Sequence, residues 1–254
     1  MVHSGNEKYA YLEEINEGIF KHIPSSPDPE VMVLDVGCGF GSLSAVIQQK
    51  KGYTTWGIEI NEDAVSIACK RITKVIQADL TDMETVASLI GDIKFDYVVF
   101  SDVLEHLPDP HTVLRAYIDF LKQGGVVLVS VPNVAVWSNR LAFLFGKFEY
   151  SDTGVMDRTH MRFFTFRTAR VLVEGAGCKI RKIDYTPFLV RAFLPFVKKL
   201  LLNKVSERGI DSQCLVRSPI YKAYMKYFYP IEHFVGSWWK SMFAFRIIIV
   251  GEKL

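Results

Sequence analysis

Apolar and polar positions follow two patterns along this chain. Short apolar runs alternate with longer stretches in which apolar residues return every three or four positions. Residues 8 to 22 carry Tyr11, Ile15, Ile19 and Phe20 among acids, which predicts an amphipathic helix ended by the loop IPSSPDPE. VMVLDV then predicts a buried strand, with a helix over Ser42 to Lys50. YTTWGIEI predicts a second strand ending at Glu59, and Asn61 is placed to cap a helix over Glu62 to Lys70. TKVIQADL predicts a third strand ending at Asp79, Thr81 opens another helix, and FDYVVFS predicts a fourth strand. That strand is almost wholly apolar, as strands covered on both faces are. A helix over Pro110 to Leu121, a turn at Gly124-Gly125 and a fifth strand, VVLVSVPN, follow. Beyond Asn133 the spacing predicts a short helix over Trp137 to Phe145, a loop over Gly146 to Arg162, and a helix over Arg167 to Glu174 stopped by Gly175 and Gly177. CKIRKIDYT and FAFRIIIVGE read as the last two strands.

Strands alternating with helices imply crossover units around a parallel sheet. The expected fold class is α/β: one domain, 1–254, with a helical lid insertion at 186–240 before the last strand. Its length and 49% hydrophobic content suit one soluble domain with a substantial core. No stretch reaches the roughly 20 apolar residues of a membrane span, and the polar N-terminus lacks the apolar core of a signal peptide. Four dispersed cysteines, Cys38, Cys69, Cys178 and Cys214, form neither a zinc pattern nor a disulfide framework. The expectation is a cytoplasmic protein.

Charge changes the picture at one end. From Val190 onward there are eleven Lys and Arg against four Asp and Glu, in a chain whose net charge is only +2. The same region is rich in Tyr and Trp. A solvated helical face explains this, as does a lid meeting an anionic substrate or, through 188–240, the inner face of a membrane.

The glycine-rich stretch VLDVGCGFGS carries the chemistry. Gly37, Gly39 and Gly41 stand between a strand and a helix, where absent Cβ atoms let a ligand approach the backbone. The order D-x-G-x-G-x-G puts Ser42 where a dinucleotide fingerprint needs its third glycine, which argues against a nicotinamide-dependent oxidoreductase. With G-I-E-I, Q-A-D-L and F-D-Y-V-V-F-S-D-V-L-E-H-L following at matching intervals, the chain resembles class I S-adenosylmethionine-dependent methyltransferases. The resemblance implies a Rossmann-like, seven-stranded, mostly parallel sheet whose antiparallel last strand lies next to strand five. It assigns Glu59, with Ile60 beside it, to the cofactor ribose, and Asp79 and Leu80 to the adenine. Gly37, Cys38, Gly39 and Gly41 would line the tail and ribose, Asp35 would orient the loop and the cofactor's amino group, and Ser101 and Val103 would lie beneath the sulfonium.

Methyl transfer to oxygen needs a positioned nucleophile and a base. His160 is the expected base, with Asp157 or Asp102 holding its tautomer, Arg158 or Arg162 taking an anionic group, and His106 and Asp102 close by. If Asp102 to His106 forms one helical turn, Asp102, Glu105 and His106 share a face, and His160 supplies a fourth donor suited to Mg²⁺ or Mn²⁺. The segment is similar to the E-x-x-E-H of ubiquinone-pathway and small-RNA methyltransferases, with Asp102 one methylene short. D-x-x-E is equally a helix-capping pattern, and the reading taken here is metal-free. The stretch from Pro132 to Thr165 resembles bacterial methyltransferases associated with surface polysaccharide, which implies a sugar or lipid-linked glycan acceptor. A metal-assisted enzyme acting on a catechol-like or ribose diol is the alternative, and a non-catalytic cofactor-binding scaffold is another. No RNA-binding module stands out, so nucleic acid is not the expected partner. The sequence sets no oligomeric state.

Overall fold

The computed structural model describes residues 15–25, 30–187, 233–234 and 236–254. Its strands are β1 (Met32–Val36), β2 (Thr54–Glu59), β3 (Lys74–Gln77), β4 (Phe95–Ser101), β5 (Leu121–Pro132), β6 (Cys178–Pro187) and β7 (Ala244–Lys253). Its helices are α1 (Glu17–Phe20), α2 (Ser42–Lys51), α3 (Glu62–Ala68), α4 (Met83–Ile90), α5 (Pro110–Ile118), α6 (Trp137–Leu144), α7 (Phe166–Gly175) and α8 (Lys240–Phe243), with a 3₁₀ turn at Leu104–His106. The sheet order is β3-β2-β1-β4-β5-β7-β6, with β7 antiparallel to both neighbours. This is the mostly parallel sheet that the alternation implied.

Short polar side chains start the helices where the sequence placed them or close by. Asn61 Oδ1 accepts the Ala64 amide at 2.9 Å. Asp82, one residue past the expected Thr81, caps α4 through the Thr85 amide at 3.2 Å. Asp109 caps α5, with Pro110 in the first turn where its missing N–H costs nothing. Thr165 and Thr168 form a reciprocal capping box on α7.

The apolar faces these caps orient make two cores. On one face of the sheet, Leu34, Ile58, Phe100 and Val129 pack beneath Val86 of α4, Leu114 and Tyr117 of α5 and Val173 of α7. On the other, Val33, Val99, Leu128 and Ile248 meet Ile19 of α1 and Leu43 and Ile47 of α2.

Two expectations change, and two others fall largely outside the described residues. The helix expected to reach Leu121 ends at Ile118, and β5 runs through Gly124-Gly125 rather than starting after a turn there. Its register against β4 breaks between Phe95 and Tyr97, a bulge that Gly124 accommodates at φ +72°. Of the helix expected over 8 to 22, only the turn Glu17–Phe20, capped by Asn16, falls among the described residues. The lid expected at 186–240 lies almost entirely outside them, together with its basic, membrane-facing reading; its first residues complete β6 and its last opens α8. No helix among the described residues is long and apolar enough to cross a membrane.

Asp184 of β6 fastens the edge of the sheet to two other segments. Its carboxylate accepts Lys21 Nζ at 2.8 Å and His22 Nε2 at 2.9 Å, and lies 3.5 Å from His233 Nε2. Burial pushes this carboxyl up, but hydrogen bonds from His22, Lys21 and the Tyr185 amide outweigh it and hold the group well below the usual carboxylate range. A depressed folded pKa means the stabilisation is present above the unfolded value near 3.9 and is lost as pH falls below it. Asp184→Asn is expected to cost about 2–4 kcal/mol at pH 7 and to flatten the acid limb of the stability profile, as read by urea unfolding at pH 3 to 7.

Candidate active site

The turn from β1 into α2 holds the three glycines, all at positive φ: Gly37 at +71°, Gly39 at +53° and Gly41 at +70°. Gly37 has a second reason to be glycine, since a Cβ there would sit 2.8 Å from Val103 Cγ2. The amides of Gly37 and Cys38 both donate to the Ile58 carbonyl, at 2.9 and 3.0 Å, so β2 fixes the loop. Cys38 is pushed up by burial and remains a neutral wall of the loop.

Asp35, 2% exposed, accepts Ser44 Oγ at 2.6 Å and so ties β1 to the first turn of α2. Burial pushes its carboxyl up to about 7, against the Ser44 hydrogen bond and with the help of nearby Glu59. Folding therefore favours the protonated form. The resulting stability is present below the unfolded pKa and is lost as pH rises towards 7. In the ligand-free protein, Asp35→Asn is expected to remove up to about 4 kcal/mol of pH-dependent loss between pH 4 and 8, seen as a smaller decline in thermal midpoint than in wild type.

The residues assigned to the adenosine lie along the ends of β2 and β3. Glu59, 5% exposed, accepts the Gly39 amide through Oε2 at 2.9 Å, and the Ile60 and Asn61 amides through Oε1 at 2.9 Å. These bonds lock its carboxylate against the glycine loop. Ile60 is 60% exposed, an apolar surface beside it. Asp79 is exposed, and its Oδ1 accepts both the amide and the hydroxyl of Thr81, which leaves helix capping to Asp82. Tyr117 OH donates to the Leu80 carbonyl at 3.1 Å and holds that turn.

At the end of β4 the structure departs from the expected helical turn. Asp102 has φ +56°, the left-handed region, and the 3₁₀ turn begins only at Leu104. Asp102 therefore does not share a helical face with Glu105 and His106. Its side chain turns to Ser130 Oγ at 2.9 Å and Arg246 Nε at 2.7 Å instead. Asn16 donates to Ser130 Oγ at 2.8 Å and to Ser101 Oγ at 3.1 Å, joining the N-terminal segment to this wall.

The loop over 157 to 162 folds back onto the 3₁₀ turn because the Glu105 carbonyl accepts the Met161 and Arg162 amides at 2.8 and 3.0 Å. That brings His160 to His106, with ring centroids 4.9 Å apart. The tautomer of His160 is set by the Val155 carbonyl, 3.1 Å from Nδ1, and not by Asp157 or Asp102. A carbonyl only accepts, so Nδ1 carries the proton and Nε2 keeps its lone pair. His106 is held the same way, with Nδ1 3.3 Å from the Thr159 carbonyl. Asp157 instead holds Thr159, whose hydroxyl lies 3.2 Å from His106 Nδ1. Burial, then the neighbouring His106, lowers the His160 pKa and keeps the ring neutral.

Glu105 completes the group. It is 1% exposed, and neither carboxylate oxygen has a hydrogen-bond partner. Burial, then the charge of Asp102, raises its pKa well above the ordinary value. One donor atom from each of Glu105, His106 and His160 lies within 4.8 Å of the others. Two imidazoles with oriented lone pairs around a partnerless carboxylate fit a divalent cation.

Arg158 and Arg162, expected to hold an anionic group, are committed elsewhere: Arg158 pairs with Asp152 at 2.6 Å, and Arg162 donates to the Pro108 carbonyl. Sequence reading missed Asn16, Ser130 and Arg246. A lone arginine in the apolar strand FAFRIIIVGE was the available signal for the last.

The chain is similar to known proteins over most of its length. The methyltransferase domain family model matches residues 8–183. A ubiquinone biosynthesis O-methyltransferase of Pseudomonas fluorescens is 35% identical over 116 residues, 44% of this chain and 47% of that protein. One from Hydrogenovibrio crunogenus is 31% identical over 166 residues, 63% of this chain and 68% of that protein. The match thus spans about half the length of the Pseudomonas relative. A SAM-dependent methyltransferase structure from Archaeoglobus fulgidus superposes with TM-score 0.58 at 19% identity, covering 93% of this chain and 92% of that one. These relatives are ubiquinone biosynthesis enzymes by name, and they do not bear out the polysaccharide group expected from the stretch Pro132 to Thr165. With its glycine cradle between β1 and α2, the chain belongs to the methyltransferase domain family.

Proposed function

We propose that the chain methylates a hydroxyl of a catechol-like diol, and that Glu105, His106 and His160 hold a divalent cation for that reaction. The observation that carries this reading is Glu105: a buried carboxyl without a partner costs stability unless it has a ligand to meet. A cation held by these residues would supply a Lewis-acidic partner for two adjacent hydroxyls. The relatives named above act on the same kind of atom, being O-methyltransferases by name.

The chain's own residues do the rest. The glycine loop and Glu59 fix the ribose and tail of S-adenosylmethionine, whose sulfonium provides an already activated methyl group, while Ile60, Asp79 and Leu80 border the adenine. Val103, 8% exposed against Gly37, sets the floor beneath the sulfonium. The acceptor oxygen attacks in line, the carbon–sulfur bond breaks towards sulfur, and the hydroxyl proton leaves to solvent.

A second reading, a sugar or glycan hydroxyl with His160 as a metal-free base, is favoured by a run of rings beside it. Phe163 lies 6.4 Å from His160, followed by Tyr150 and Phe148, both more than half exposed, a surface suited to the face of a pyranose. Acceptor assays separate the two. The catechol reading expects kcat/KM for catechol at least about 100-fold above phenol. Methylation of glycosides with none of catechol would overturn it in favour of the sugar.

A further inference from the structure

We propose that Arg246 binds a carboxylate on the acceptor and so selects acceptors that carry one. The inference rests on the O-methyl reading above and adds the acceptor's charge to it.

The Arg246 side chain is only 18% exposed. One N–H is committed, since Nε lies 2.7 Å from Asp102 Oδ2. The Phe245 ring lies 5.2 Å from the guanidinium carbon and braces the group further. Among the described residues the remaining guanidinium N–H groups have no hydrogen bond. These outer N–H groups form a planar fork that matches a carboxylate.

The anchor beneath this fork is rigid. Asp102 is fixed through its amide to the Ser130 carbonyl at 3.2 Å and Oγ at 3.1 Å, and through Oδ1 to the same hydroxyl at 2.9 Å. Ser130 Oγ is in turn held by Asn16 at 2.8 Å. Asp102 thus balances one charge and aims the guanidinium without occupying its outer N–H groups.

The position is right for an acceptor. Arg246 pairs with Pro132, the last residue of β5, and Asp102 follows Ser101, the last residue of β4. These are the strand ends over which open α/β sheets bind their ligands. Asp102 also begins the stretch that carries Glu105 and His106. Arg162 holds the Pro108 carbonyl and Arg158 pairs with Asp152 on the surface, whereas Arg246 is mostly buried and keeps its outer N–H groups uncommitted.

The test measures binding of catechol, 3,4-dihydroxybenzoate and benzoate to protein loaded with S-adenosylhomocysteine. Wild type, Arg246→Gln and Arg246→Lys are compared by calorimetry, with folding of each checked by circular dichroism. Wild type is expected to bind the dihydroxybenzoate at least about 10-fold tighter than catechol. Glutamine should bring that ratio to about 1, and lysine, which keeps the charge but not the fork, should retain part of it. If wild type shows no preference, or Arg246→Gln keeps it, the proposal is overturned. It is also overturned if the substitution weakens S-adenosylhomocysteine itself, since the fork would then serve the cofactor's carboxylate. Should glutamine prevent folding, the lysine ratio decides alone. Failure of the O-methyl reading shows separately, as no methylated product from either catechol while the carboxylate preference persists.

Discussion

Replacing Glu105 with leucine is expected to raise the thermal midpoint of the protein while lowering methyl transfer by about 10³-fold or more. The carboxyl is 1% exposed and neither oxygen has a partner. Burying such a group costs about 1–3 kcal/mol, and leucine fills nearly the same volume with no polar atom to satisfy. The gain amounts to a few degrees in a chain of this size. Glutamine at the same position makes the contrast, because its amide is just as unsatisfied: it should remove activity without raising the midpoint. Thermal melts with single-turnover assays of the three proteins check this. A leucine variant that is destabilised would mean that Glu105 has a structural partner after all.

Gly37→Ala is the second large effect, and it acts on the cofactor. At φ +71° an L-residue costs about 1–2 kcal/mol, and the new Cβ would lie 2.8 Å from Val103 Cγ2. Val103 is itself buried against the loop and has little room to retreat. Affinity for S-adenosylhomocysteine is expected to fall about 100-fold, as overpacking of about 1–3 kcal/mol adds to the strain. The double variant Gly37→Ala/Val103→Ala relieves the clash but not the backbone strain, so it should recover about half of the lost binding free energy. Calorimetric titration of the four proteins gives the coupling directly. Full recovery would assign the whole effect to the clash, and no recovery would assign it to φ.

Local chemistry was legible in the sequence, and long-range pairing was not. Gly37, Gly39 and Gly41 betray their backbone because only glycine sits comfortably at positive φ in three alternate places. Glu59 was found because an acid closing an apolar strand is conspicuous. Asp102 was misjudged because i, i+3 and i+4 spacing assumes a helix, whereas Ser130 and Arg246, far along the chain, hold it in a left-handed conformation. The tautomer of His160 was assigned to a nearby acid, but a main-chain carbonyl, invisible to any motif, sets it. The run through Gly124-Gly125 failed for the opposite reason: two glycines are the usual sign of a turn, and only pairing with β4 turns them into a bulge.

The central claim concerns the group formed by Glu105, His106 and His160, and one measurement addresses it most directly. Mg²⁺, Mn²⁺ and Zn²⁺ are titrated calorimetrically into protein loaded with S-adenosylhomocysteine, in wild type and in His160→Ala, with catechol methylation assayed before and after chelation. The account predicts one ion bound per wild-type chain, none in the variant, and activity lost to the chelator. Wild type that binds no ion and methylates undiminished in the chelator would contradict it, and would leave His160 as a base acting alone.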